Sequence, residues 1–314
     1  MKKRNISLAI VLVVLCVISV VLFVASRETN SPKTNPNLFK VDASDKIDRV
    51  VLKRKQQTIS LAFENGKWRV NESWDADAKM IKVFFATILQ VEPRRPVAAN
   101  MTDTVRRELE RNGVHVSLSE GGIEKMSFLA GGNPMKTEAW FLKDGDDQPY
   151  VMTIPGYRVY VSGIFELDES GWRNKRVFDF NWRNFRSLVA TYATESDQNF
   201  EIEMRDGYFG IRNVPQVDTT KLNDYLDAVS LLFATRFLPQ GSAKSDSLAA
   251  ARPSANITIT DIGRRVYTLD LFAPRKRNDE IYGRLGSGEF IVLAKDDVAE
   301  IMRRRDYFVP RPAR

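Results

Sequence analysis

Residues 59–70 read ISLAFENGKWRV and residues 200–211 read FEIEMRDGYFGI. In both, apolar and polar residues alternate around a dipeptide, Asn65-Gly66 or Asp206-Gly207, of the kind that closes a two-residue β-turn. Alternation with period two sends one face of a strand inward and the other outward, so both stretches predict antiparallel hairpins. Each is followed, after a short polar stretch, by a stripe with the helical period. The first begins near Asp77 and carries Met80, Val83, Phe84, Ile88 and Val91. The second begins near Asp218 and Thr219 and carries Leu222, Tyr225, Leu226, Val229 and Phe233. Acidic or hydroxyl residues at both starts suit N-caps.

The match extends outward from these hairpins. Residues 102–111 predict a short helix ending at Asn112-Gly113, with a counterpart at 245–251. Segments 114–118 and 125–129 flank Gly121-Gly122, and 138–142 and 150–153 flank Asp144-Gly145. In the second half, 256–260 and 266–271 flank Gly263, and 280–284 and 289–293 flank Gly286. A helix is expected near 160–167 and another near 296–304, and each half closes on a basic-aromatic run, 172–180 or 302–308. Elements repeated in one order predict an α+β fold of two similar units with antiparallel sheets, residues 41–185 and 186–314. One continuous α+β domain is the alternative.

Residues 6–25 (ISLAIVLVVLCVISVVLFVA) carry no charge, and as a helix they span roughly 30 Å, the thickness of bilayer hydrocarbon. Lys2, Lys3 and Arg4 precede the run, while Arg27 and Glu28 behind it nearly cancel. This bias predicts an N-terminal transmembrane helix with residues 1–25 as cytoplasmic tip and anchor, the bulk lying outside in the periplasm of a bacterial cytoplasmic membrane. The competing reading is a cleaved signal peptide, but Phe23 would then stand where a small residue is wanted. Residues 26–40, with two prolines and many small polar groups, suit an extended tether.

The net charge of +7 includes Lys2, Lys3 and Arg4, and the remainder is mildly basic with charges of both signs. That is no concentrated basic face, so nucleic acid is not an expected partner. Cys16, the single cysteine, lies inside the apolar run, so the remaining chain offers no disulfide and no thiolate metal site. The 43% hydrophobic fraction is enough for packed cores without such staples.

The sequence of NGKWRV, the helix behind Asp77, RRELERNGVHVSL, EAWFLKDGDDQPYVMT and RNKRVFDF resembles the domain-of-unknown-function family 4340 over nearly all of the chain after the tether. One departure is visible: a Tyr-Gly-Leu-like step followed by proline is usual in the family, where this chain has Asn112-Gly113-Val114 and no proline. The resemblance implies an auxiliary protein of bacterial envelopes, linked to ABC transporters of the gliding-motility kind. It brings no catalytic residue.

The residues themselves assemble no reaction centre. His115, the single histidine, falls on an expected strand with its side chain opposite Val114 and Val116, where histidines are ordinarily structural. Residues 130–134 (AGGNP) lead into a proline rather than a helix, so a turn explains them better than a phosphate loop. Asp144, Asp146 and Asp147 lack the ligand spacing of a calcium loop and suit a hairpin tip. The five tryptophans, 68, 74, 140, 172 and 182, suit core and sheet packing or a sugar platform. Trp172, Arg173, Lys175 and Arg176, with Arg303, Arg304 and Arg305, form the candidate contact surface for acidic lipid headgroups or an acidic partner. Solvated helix ends are the plainer reading of these charges. The expectation is a non-enzymatic accessory or scaffold protein without cofactor or metal, held by residues 6–25 and docking onto an ABC-type transporter; the alternative is an envelope ligand-binding module for glycan or lipid.

Overall fold

The computed structural model describes residues 15–19, 34–41, 46–55, 57–180, 182–205, 207–274 and 280–310. The chain divides into two compact units, Met1–Trp172 and Arg173–Arg314. The fold is α+β, with one antiparallel sheet in each unit. The expected anchor lies outside the described residues except for 15–19, which are helical. Among the described residues no helix is long and apolar enough to cross a membrane.

The first unit runs β1 (Arg49–Arg54), β2 (Gln57–Glu64), β3 (Lys67–Val70), β4 (Trp74–Asp75), α1 (Ala78–Gln90), β5 (Glu92–Pro96), α2 (Ala99–Asn112), β6 (Val114–Glu120), β7 (Ile123–Gly132), β8 (Ala139–Lys143), β9 (Tyr150–Thr153) and α3 (Glu169–Trp172). Its strands lie in the order β4-β3-β2-β1-β6-β7-β8-β9-β5. The second unit runs β10 (Phe185–Tyr192), β11 (Phe200–Arg205), β12 (Tyr208–Ile211), α4 (Thr219–Ser230), β13 (Ala234–Phe237), α5 (Ala243–Ala249), β14 (Ala255–Asp261), β15 (Val266–Phe272), β16 (Ile281–Leu285), β17 (Phe290–Leu293) and α6 (Lys295–Ile301). Its order, β12-β11-β10-β14-β15-β16-β17-β13, repeats that of the first sheet without the short edge strand β4.

The local causes are the ones the pattern predicts. Asn65 and Gly66 both take positive φ, 51° and 79°, the geometry that lets a two-residue turn follow the strand twist. In the second hairpin Gly207 has φ 82°, while Asp206 lies outside the described residues. Asp77 caps α1 by accepting from the Lys79 and Met80 amides at 2.7 and 3.3 Å, and Asp218 caps α4 through the Lys221 amide at 3.2 Å. Behind the caps, Ile81, Phe84 and Ile88 pack into the first core, and Leu222, Tyr225 and Val229 into the second. On the other face of the first sheet, Val105 and Leu109 of α2 cover Leu142 and Val151.

Four expectations are corrected. The unit boundary lies at Trp172/Arg173, before the expected 185/186, because the Lys175 carbonyl accepts from the Ala234 amide (2.7 Å) and the Val177 amide donates to Leu232 (3.0 Å). The two basic-aromatic runs are therefore not counterparts along their length. Phe308 corresponds to Trp172: its carbonyl accepts from the Asp218 amide at 2.8 Å, as that of Trp172 does from the Asp77 amide at 2.8 Å. The tether ends sooner than residue 40, since Phe39 is buried edge-on against Phe128 and Phe141 at 5.6 and 5.4 Å. In place of a helix over 160–167 there is one 3-10 turn, Val161–Ile164, containing Gly163, whose bare backbone disfavours a helix.

The paired positions Phe84 and Tyr225 differ by one hydroxyl, with a consequence for stability. Tyr225 is buried beside Phe200 and Phe308, and among the described residues nothing accepts from its Oη. A buried unsatisfied hydroxyl costs about 1–3 kcal/mol, so Tyr225→Phe is expected to raise stability by about 1 kcal/mol in urea unfolding. Burial pushes the Tyr225 hydroxyl well above its ordinary pKa and that of Tyr192 up to about 12. The folded state therefore holds these protons more tightly than the unfolded chain. The stability involved is fully present below about pH 10 and falls away above it, by about 1.4 kcal/mol per pH unit for each tyrosine. The Tyr225→Phe variant should show a shallower alkaline decline; an unchanged decline would contradict this assignment.

Candidate functional site

The helix α1 turns Ile81, Phe84 and Ile88 into the core, and the side beside them carries Met80, Val83 and Thr87. That side forms one wall of an open apolar groove of about 480 Å³. The other wall is the segment after β9, where the Tyr157 amide donates to the Ile154 carbonyl at 3.0 Å and the chain continues through Val159 to Leu167. Val83, Tyr157 and Val159 are 48%, 64% and 55% exposed, which leaves a contiguous apolar strip facing solvent. The Thr87 hydroxyl donates to its own helix at Val83 (2.8 Å) and so offers the groove little polarity.

Tyr160 ends the groove and also lines a second, polar cavity of about 260 Å³ bounded by Arg54, Asn112, Asn133, Lys136 and Glu166. Its hydroxyl donates to Glu166 Oε1 at 2.5 Å, and Lys136 Nζ meets Glu166 Oε2 at 2.9 Å. Burial and then the Glu166 carboxylate hold the Tyr160 hydroxyl protonated well beyond its usual range. Behind it the Ser162 hydroxyl donates to the Gly131 carbonyl at 2.6 Å. The ring approaches Gly132 so closely that a Cβ there would stand 2.5 Å from Tyr160 Cε2 and press on the Glu138 carbonyl oxygen. A Cβ on Gly131 would press on the tip of Leu109, at 2.9 Å, with Gly113 Cα at an ordinary 3.6 Å.

Gly132→Ala is therefore expected to destabilise by about 1–3 kcal/mol and to displace Tyr160, with Gly131→Ala costing less. Thermal midpoints of the two variants check this, and equal shifts would contradict it. The glycines at 131 and 132 read in the sequence as part of a turn, and Asn133 does organise one, accepting from the Thr137 and Glu138 amides at 2.8 and 3.0 Å. Their contact with Tyr160 had no local signal.

The residues singled out in the sequence fall elsewhere. His115 Nε2 meets Asp144 Oδ2 at 2.7 Å on the outer face of the first sheet, and Asp144 opens a tip with Gly145 at φ 83°. Asp147 pairs with Arg106 at 3.0 Å, and no group of three acidic, His or Cys side chains able to hold a metal occurs among the described residues. The five tryptophans are divided among three packed clusters. Trp68 and Trp74 pack against the first core and Trp182 against the second, while Trp140 joins the α2 cluster with its Nε1 donating to Glu138.

The candidate contact surface does not hold together. Trp172 is 0% exposed and Arg173 only 7%, so neither can meet a partner. Arg173 Nη2 lies 2.7 Å from Glu289 Oε1 and its guanidinium 3.7 Å from the centre of the Phe237 ring. Lys175 and Arg305 are half-buried, and Arg176 is exposed with its guanidinium 5.6 Å from the Phe233 ring centre. Arg303 is paired with Glu300 at 2.6 Å and lies over Tyr307. Arg304 holds both Glu195 oxygens, at 2.5 and 2.9 Å, and lies over Tyr192. These arginines brace the end of the second unit, in bidentate and stacked contacts that guanidinium geometry favours.

No curated protein and no solved structure matches the chain significantly. The family model described as a domain of unknown function, DUF4340, matches residues 68–256, more than half of the chain, and the chain belongs to that family.

Proposed function

We propose that this chain is a membrane-anchored accessory or scaffold protein, held by residues 6–25, that presents its two units outside a bacterial cytoplasmic membrane to an ABC-type transporter of the gliding kind. The observation that carries the reading is the repeated architecture. Two units share one strand order, matched hairpins and matched Asp-capped helices behind a single uncharged apolar run. Such a tandem, read as an internal duplication, offers two similar surfaces to a partner from one attachment point. The outer faces are crossed by side-chain ion pairs, Arg69–Asp75 in the first unit and Arg284–Asp270 in the second, each at 2.6 Å. These pairs satisfy one another instead of converging on a reacting group.

Crosslinking in intact cells followed by mass spectrometry tests this reading. Transporter permease or ancillary subunits joined to residues 46–310 are the expected result; repeated capture without any transporter subunit would overturn it. The open groove on the first unit favours a second reading, an envelope module that binds an apolar ligand.

A further inference from the structure

We infer that the groove between α1 and the segment 154–167 receives a fatty acyl chain of a membrane lipid. The inference rests on the anchored reading above. Its first support is where the tether arrives. Phe39 is locked into the first core, and Lys40 Nζ pairs with Glu92 Oε1 at 2.8 Å. Glu92 stands two positions beyond Gln90, which lines the groove, and it pairs across β5 and β9 with Thr153. The next residue, Ile154, belongs to the opposite wall. The groove thus opens beside the point where the chain comes in from residues 6–25, and the intervening polar tether is short.

Size and chemistry point the same way. A concavity of about 480 Å³ lies within the range of small-ligand sites, roughly 300–1,000 Å³. Apart from Thr87 and Gln90 the groove is lined by apolar and aromatic residues and Gly163, as aliphatic carbon requires. At Tyr160 the lining turns polar, with Arg54 and Lys136 set against Glu108 and Glu166, so the cavity pair suits an amphiphile with a polar headgroup better than a wholly apolar peptide face. Tyr160, seated against Gly132 and held by Glu166, divides the two environments.

The test uses the full chain in nanodiscs of phosphatidylethanolamine and phosphatidylglycerol containing a phospholipid with a diazirine at its acyl terminus. After illumination, peptide mapping should place adducts within 80–90 and 154–167 as well as within 6–25. Val83→Glu, at an exposed position and with an unchanged thermal midpoint, should lower the groove adducts at least tenfold and leave those in 6–25. Adducts confined to 6–25, or groove adducts indifferent to Val83→Glu, would overturn the inference while leaving the anchor intact. Labelling nowhere would remove anchor and groove reading together. Benzoylphenylalanine in place of Val83, illuminated in cells, should gain the mass of a lipid; a crosslinked polypeptide there would overturn the proposal.

Discussion

Trp172→Ala is expected to lower the stability of the first unit by about 3–5 kcal/mol, the cost of emptying a large buried site. The indole is wholly buried and lies edge-on to Phe84 at 5.8 Å, in the cluster that also holds Phe165, Phe128 and Phe141. Its backbone carbonyl receives the Asp77 amide, so the cavity would open beside the start of α1. Trp172→Phe should cost far less, because its Nε1 has no partner among the described residues and phenylalanine stands at the corresponding place, Phe308, in the second unit. Amide hydrogen exchange in β1, β6 and β7 reads the effect directly. A loss below about 1 kcal/mol for the alanine variant would mean that the site collapses around the gap, which a close-packed aromatic cluster does not allow.

Arg173→Ala is expected to cost about 3–5 kcal/mol in the second unit, because it strands a carboxylate in a dry site. The side chains of Arg173 and Glu289 are 8% and 11% exposed, and the guanidinium also covers Phe237. The pair itself need not be strongly stabilising, since desolvation of both charges opposes their attraction. Arg173→Met combined with Glu289→Gln should therefore recover most of the loss, and a double-mutant cycle in urea separates the two contributions. Losses that simply add would contradict a coupled buried pair.

These two residues show where sequence reading reached its limit. Trp172 and Arg173 open an aromatic-basic run that looks like a surface, yet Glu289 lies 116 positions further along the chain. No local pattern announces such a partner. The turn dipeptide Asn65-Gly66, the period-two strands and the Asp77 and Asp218 caps were legible because their causes are local, in allowed φ values and nearest-neighbour hydrogen bonds. The stripe on α1 was legible as a stripe, but only packing decides that Phe84 and Ile88 go inward while Val83 stays at the groove. Strand β5 (EPRRP) has two prolines and no alternation; it is tolerated at the sheet edge, where it pairs with β9 through an irregular register. The groove itself joins α1 to a segment some seventy residues later, and Gly132 is needed only because Tyr160 folds back onto it.

Topology in spheroplasts decides whether the chain is anchored with both units outside. The full chain, tagged at each end, would be exposed to an external protease and its membrane fraction washed with alkaline carbonate. The C-terminal tag is expected to be lost while a short N-terminal fragment containing residues 6–25 stays protected and membrane-bound. A chain released by the wash, or a C-terminal tag that resists protease until the membrane is broken, would contradict it.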